Sequence, residues 1–391
     1  MTASFPTAAQ ALLPNGLRDL LPPDAEQEAF VASRLVATFV ANGYHRVKPP
    51  LIEFEESLLS GAGRTAAAQT FRVMDPITQR MMGLRSDMTT QVARIAASRL
   101  ARAPRPLRLA YSGSVLRVRG SQLRPERQFT QAGLELIGAA GEDAVAEVLL
   151  LAVEALEQAG VERVCIDLTC PPLVPALCAA LGLDEARAQA VRDVLEQKDL
   201  VAVGDLVGAE AAAVLRALLE TVGPAERGVE ALVALDLPEP AVAMRDSLVA
   251  LARRVAGAVP HHDLTLDPLE HHGFEYHTGT AFCLFGRGAR GELGRGGAYE
   301  TGPDGAVEPS AGATLYLDAV LDVATCPPPR RLVLISPTLP AARRRALQAE
   351  GWATVPALGA AVDQAEALRL GCSHILDENG QPRALAPADQ G

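Results

Sequence analysis

Two short stretches carry side chains whose types and spacing could hold a small, doubly charged molecule. In "RQFTQAGLELIG", residues 127–138, Ala132, Leu134 and Leu136 alternate with Gln131, Gly133 and Glu135. Successive side chains of a strand point to opposite faces, so one face is apolar and the other offers an amide, a gap and a carboxylate. In "LRSDMTTQVAR", residues 84–94, Asp87 and Thr89 fall at the expected start of a helix, where free backbone amides and a hydroxyl are available. Arg117 falls on the strand expected beside the first stretch. Carboxylates accept from an ammonium or a protonated ring, and a guanidinium grips a carboxylate, so the set suits a zwitterion. By alternation alone, the same residues also fit the polar face of a solvated sheet.

Other candidates carry less. His261, His262, His271, His272 and His277 are of a type that binds metal. Adjacent histidines on a strand would point to opposite faces, and the i, i+4 spacing of a helical zinc site is absent, so no metal site is expected. "GRGARG", residues 286–291, matches a dinucleotide fingerprint, but "ELGRGGAYETGPDG" behind it cannot form the required helix and reads as a flexible turn. No phosphate-binding G-x-x-x-x-G-K, nucleophile elbow or C-x-x-C pair is present, and the six cysteines are scattered, which argues against a disulfide scaffold or a structural zinc.

The positioning elements follow from periodicity. Val31, Leu35 and Phe39 share a helical face that Asp24 can cap and Asn42-Gly43 can end. "YHRVKPPLIEF" reads as extended, broken by Pro49-Pro50. A helix is expected over 87–102, antiparallel strands near 107–117 and 127–137, and a long helix over 141–159. Four segments emerge: a first core part over 1–171, an Ala- and Leu-rich helical insertion over 172–256, a second core part over 257–326, and a small β-α-β-α-β segment over 330–391. The fold class is α+β, an antiparallel sheet flanked by helices.

Bulk properties narrow the function. A formal net charge of -11 works against broad nucleic-acid binding. No apolar run reaches membrane-spanning length and the start lacks a secretory pattern, so a cytoplasmic location is expected.

From about residue 14 to 324 the chain resembles the catalytic core of histidyl-tRNA synthetase, a class II synthetase. "NGLRDLLPPDA" is similar to the family's opening, and "GYHRVKPPLIE" to motif 1. "LRSDMTTQVAR" is similar to the amino-acid-binding turn, and "YSGSVLRVRG" through "RPERQFTQAGLELIG" to motif 2. "GFEYHTG" and "GRGGAYE" resemble the two histidine signatures. The resemblance implies a histidine site formed by Asp87, Thr89, Arg117, Gln131, Glu135 and Tyr276, with the gap beside Gly133 as room for the ligand. His277 stands where the family has a tyrosine near the ring.

The departures fall on the ATP side. Arg119 replaces the motif 2 glutamate, His272 and Ala298 replace signature arginines, and Ala319 replaces the motif 3 arginine. An imidazole is a weaker partner than a guanidinium for developing phosphate charge. A chain that keeps the amino-acid site and loses the ATP site resembles the regulatory subunits of ATP phosphoribosyltransferase. That resemblance implies no catalytic residues and no cofactor, with the short-form catalytic subunit as partner. It also implies histidine as effector and a homodimer within a hetero-oligomer. The alternatives are a divergent histidyl-tRNA synthetase and a histidine-binding module serving another enzyme.

Overall fold

The computed structural model describes residues 12–59, 67–120, 124–196, 200–271, 273–274, 276–302, 307–328, 330–358, 361–377 and 379–385. The chain divides into two compact units, one ending at Cys326 and one beginning at Pro327.

The first helix, Asp24–Ala41, buries Val31, Leu35 and Phe39 along one face. Pro23 occupies its N-cap and no side chain caps it, so Asp24 is its first residue rather than its cap. β1 (His45–Arg46) follows, then a small sheet of β2 (Ile52–Phe54), β3 (Arg72–Met74) and β4 (Met81–Leu84). The helix carrying Thr89 spans only Thr89–Ser98, which leaves Asp87 in the turn before it.

β5 (Leu107–Leu116) and β6 (Gln128–Ile137) pair antiparallel, with Tyr111 opposite Gly133 and Leu109 opposite Glu135. The long helix Glu142–Gln158 leads to β7 (Val164–Thr169). Among the described residues of 172–256 the elements are helices, with the short strand β8 (Gly223–Pro224) pairing with β9 (Asp263–Leu266). β10 (His277–Gly286), β11 (Glu292–Thr301) and β12 (Glu308–Tyr316) complete a sheet ordered β1-β5-β6-β12-β11-β10-β7-β9-β8. The sheet is mixed rather than purely antiparallel, because β1·β5 and β7·β9 run parallel.

β11 corrects the sequence reading. "ELGRGGAYET" is a ten-residue strand inside the sheet, not a flexible turn. Its glycines hide the strand pattern because they serve close approach. A Cβ at Gly294 would lie 2.5 Å from the Thr314 carbonyl. One at Gly297, where φ is +154°, would lie 2.6 Å from Ala281. Only glycine tolerates both the contact and the backbone angle.

The main sheet separates two apolar layers. Ala132, Leu134 and Leu136 pack in one cluster with Leu149, Val153 and Leu156 of the long helix. Met88, Val92, Tyr111, Val115 and Ile137 form the second layer. The supposedly polar face of β6 is therefore interior. The second unit holds β13 (Leu332–Ile335), β14 (Ala353–Pro356), β15 (His374–Leu376) and β16 (Pro382–Ala384), ordered β14-β13-β15-β16. The last of these was not expected from the sequence.

Candidate ligand cradle

Gln131 and Glu135 are fully buried, which removes the reading of a solvated sheet face. A buried carboxyl needs partners. Tyr111 Oη donates to Glu135 Oε1 at 3.1 Å, and Tyr299 Oη donates to Oε2 at 2.7 Å. Tyr111 Oη also pairs with Thr314 Oγ1 at 2.8 Å and Thr89 Oγ1 at 3.3 Å. A Cβ on Gly312 would collide with the Glu135 carboxyl, so the bare backbone of β12 makes room for it.

Burial pushes the Glu135 carboxyl up to about 8. The hydroxyls of Tyr299, Thr89 and Tyr111 oppose that rise, while nearby Asp87 adds to it. At neutral pH the group is mostly protonated and can donate as well as accept. Burial likewise holds His277 at about 3, helped by Arg295, so its ring is neutral.

The second carboxylate is locked differently. Asp87 Oδ2 accepts from Gln131 Nε2 at 3.0 Å, and Asp87 Oδ1 accepts from the Thr89 amide at 2.8 Å. Gln131 Oε1 accepts from the Met88 amide at 3.2 Å. The helix start expected to be free is thus engaged by Asp87. A carboxylate has about four acceptor positions. Two remain for a ligand cation.

Tyr276 completes the group. Its ring stacks on His277 at 4.3 Å and stands perpendicular to Tyr299 at 6.0 Å. Burial first, then Asp87 and Glu135, raise its hydroxyl well above the ordinary tyrosine value.

One expectation fails. The gap beside Gly133 is not ligand space, because a Cβ there would collide with the Tyr111 ring. Gly133 is instead what lets the Tyr111 hydroxyl reach Glu135. Arg117 is not hydrogen-bonded to any other member of the set. It lies past the end of β5, with its guanidinium 5.0 Å from the Phe129 ring centre. Sequence reasoning also missed Tyr111, Tyr299 and Thr314. Both tyrosines sat inside the quoted signatures, but nothing local marks their reach across strands. His272 lies outside the described residues.

Arg117 lines a cleft of about 520 Å³, together with Arg119, Arg124, Glu126, Glu292 and Arg295. Arg124 donates to the Glu292 carbonyl at 2.6 Å and lies 3.6 Å from the Asp318 carboxylate. Arg295 holds Glu292 Oε2 through two nitrogens, at 2.9 and 2.7 Å. Among the described residues, Arg117 and Arg119 have no carboxylate partner. Ala319, at the motif 3 arginine position, is buried in the core.

This geometry can be set against known proteins. The histidyl-tRNA synthetase family model matches residues 16–320. The ATP phosphoribosyltransferase regulatory subunit of Rhodospirillum rubrum is 65% identical over 385 residues, covering 98% of this chain and all of that protein. The chain belongs to the ATP phosphoribosyltransferase regulatory subunits. The fold agrees. A Bacillus halodurans structure described as a regulatory subunit/histidyl-tRNA synthetase has TM-score 0.77 at 24% identity, covering 95% of this chain and 99% of its own. The ATP phosphoribosyltransferase complex of Thermotoga maritima contains a chain with TM-score 0.59 at 19% identity, covering 77% of this chain and 99% of its own. As a regulatory subunit the chain needs no activated amino acid, and the pairing of Arg124 and Arg295 with internal carboxylates fits that role.

Three further observations bear on earlier expectations. No described helix is long and apolar enough to cross a membrane. The six cysteines are free thiols. His261 and His262 do not point to opposite faces. They lie in the turn before β9 with ring centres 4.2 Å apart, so strand alternation does not apply to them.

Proposed function

We propose that this chain is the non-catalytic subunit that activates a short-form ATP phosphoribosyltransferase catalytic subunit. In that role it serves the first step of histidine biosynthesis and reports histidine through the Asp87–Glu135 cradle. Kinship with the Rhodospirillum rubrum regulatory subunit supports the partner. The carrying observation for the ligand is a buried, mostly neutral Glu135 beside an Asp87 that keeps acceptor capacity.

In this reading Asp87, Thr89 and Gln131 take the α-ammonium end of histidine. Glu135 donates to the ring nitrogen of a neutral imidazole, and Tyr276 walls the ring. Arg117 reaches the carboxylate from the mouth of the cleft. Arg124 and Arg295 are already neutralised by Glu292 and Asp318, so a triphosphate would have to displace internal carboxylates. A histidine-bound chain favours one assembly state over another, and the difference in affinity is the coupling free energy. The active assembly contains a homodimer of this chain.

Calorimetry tests the ligand. Histidine should bind the full chain, and Asp87→Asn should weaken binding by about 1–3 kcal/mol, the usual cost of losing a charged hydrogen-bond partner. Unchanged affinity would remove Asp87 from the site.

A further inference from the structure

Outside the cradle, three metal-ligating side chains converge at the end of the long helix. Glu157 lies in the last turn of Glu142–Gln158, and His261 and His262 lie just before β9. His261 Nε2 is 2.7 Å from Glu157 Oε1, and His262 Nε2 is 3.1 Å from the same oxygen. The three ligand atoms all lie within 4.8 Å of one another. A tetrahedral ion with bonds of about 2.0–2.1 Å holds its ligand atoms about 3.3 Å apart. The two histidine–glutamate distances, 2.7 and 3.1 Å, are close to that spacing, and the two histidine nitrogens lie no more than 4.8 Å apart.

Two independent observations ask for a cation here. The His262 side chain is fully buried, yet its Nε2 has no hydrogen bond of acceptable geometry despite facing Glu157. In addition, Glu157 places a carboxylate at the negative end of a helix whose last turn holds no basic residue. A negative charge there is unfavourable unless a cation offsets it. The neighbouring Arg163 guanidinium is paired with Asp263 at 2.6 Å.

We propose that Glu157, His261 and His262 form a binding site for a divalent transition metal of the zinc type, with solvent as the fourth ligand. His261 is largely exposed and leaves that position open. Binding moves the His262 ring proton to Nδ1. The ring therefore gives up a long contact, in which the Val164 amide donates to Nδ1 at 3.3 Å. The ion ties the C-terminus of the long helix to the start of β9, so its role is to fasten two elements rather than to react.

Cobalt(II) and zinc(II) titrations of the full chain at neutral pH test this. Cobalt should give the visible bands of a four-coordinate nitrogen and oxygen site, and zinc should raise the thermal midpoint by a few degrees by mass action. His261→Ala, at an exposed position, and Glu157→Gln should each weaken one equivalent of binding by more than roughly tenfold and abolish the thermal shift. Absence of binding to the parent chain would overturn the proposal. So would binding unchanged in both variants, or bands showing thiolate ligation, since either places the metal elsewhere.

Discussion

Glu135→Gln should flatten the pH dependence of stability. The folded carboxyl sits at about 8, against an ordinary value of 4.5. Between those values the folded state holds a proton that the unfolded chain releases. The stability contribution of this group is therefore complete below the ordinary value and is lost as pH rises through about 8. Each unit of displacement corresponds to about 1.4 kcal/mol, so the loss on going to high pH is on the order of 3–5 kcal/mol. Glutamine stays neutral throughout and keeps an acceptor oxygen for one of the two tyrosines. Tyr111 can instead donate to Thr314 Oγ1, 2.8 Å away. Urea unfolding measured from about pH 5 to about pH 9 reads the difference. The parent chain should be at least as stable as the variant at the acid end and less stable at the alkaline end, so the two profiles cross. Parallel profiles would refute the claim that Glu135 is held neutral by burial.

Gly312→Ala should displace the Glu135 carboxyl, because the added methyl occupies its space. Overpacking of this kind costs about 1–3 kcal/mol, readable as a lower thermal midpoint, and histidine binding should fall with it. Arg119→Glu restores the R-x-E pattern of motif 2, yet it should give no histidine-dependent pyrophosphate exchange. Arg124 and Arg295 remain paired with Asp318 and Glu292, and Ala319 remains in the core. Exchange activity in that variant would show that the cleft had lost only one group.

The long helices and the β5–β6 hairpin were legible because their apolar residues repeat at the helical and strand periods. Val31, Leu35 and Phe39 marked one helix, and Ala132, Leu134 and Leu136 marked the core face of β6. β11 was illegible because four of its ten residues are Gly294, Gly296, Gly297 and Ala298, chosen for strand-to-strand clearance rather than strand propensity. Asp87, Thr89, Gln131 and Glu135 were readable as a group because each sits on a short motif. Their true partners, Tyr111 and Tyr299, come from opposite strands, and a local pattern does not encode such a meeting. Gly133 misled for the same reason: an empty position on one strand is filled from its neighbour. Strand alternation could not place His261 and His262, because a turn, not a strand, carries them.

The most direct test of the regulatory role is phosphoribosyl-ATP formation by the short-form catalytic subunit from the same source, measured alone, with this chain, and with this chain plus histidine. The account predicts low activity alone, a rise when this chain is added, and a fall with histidine that the Asp87→Asn variant resists. Activity indifferent to this chain would contradict it.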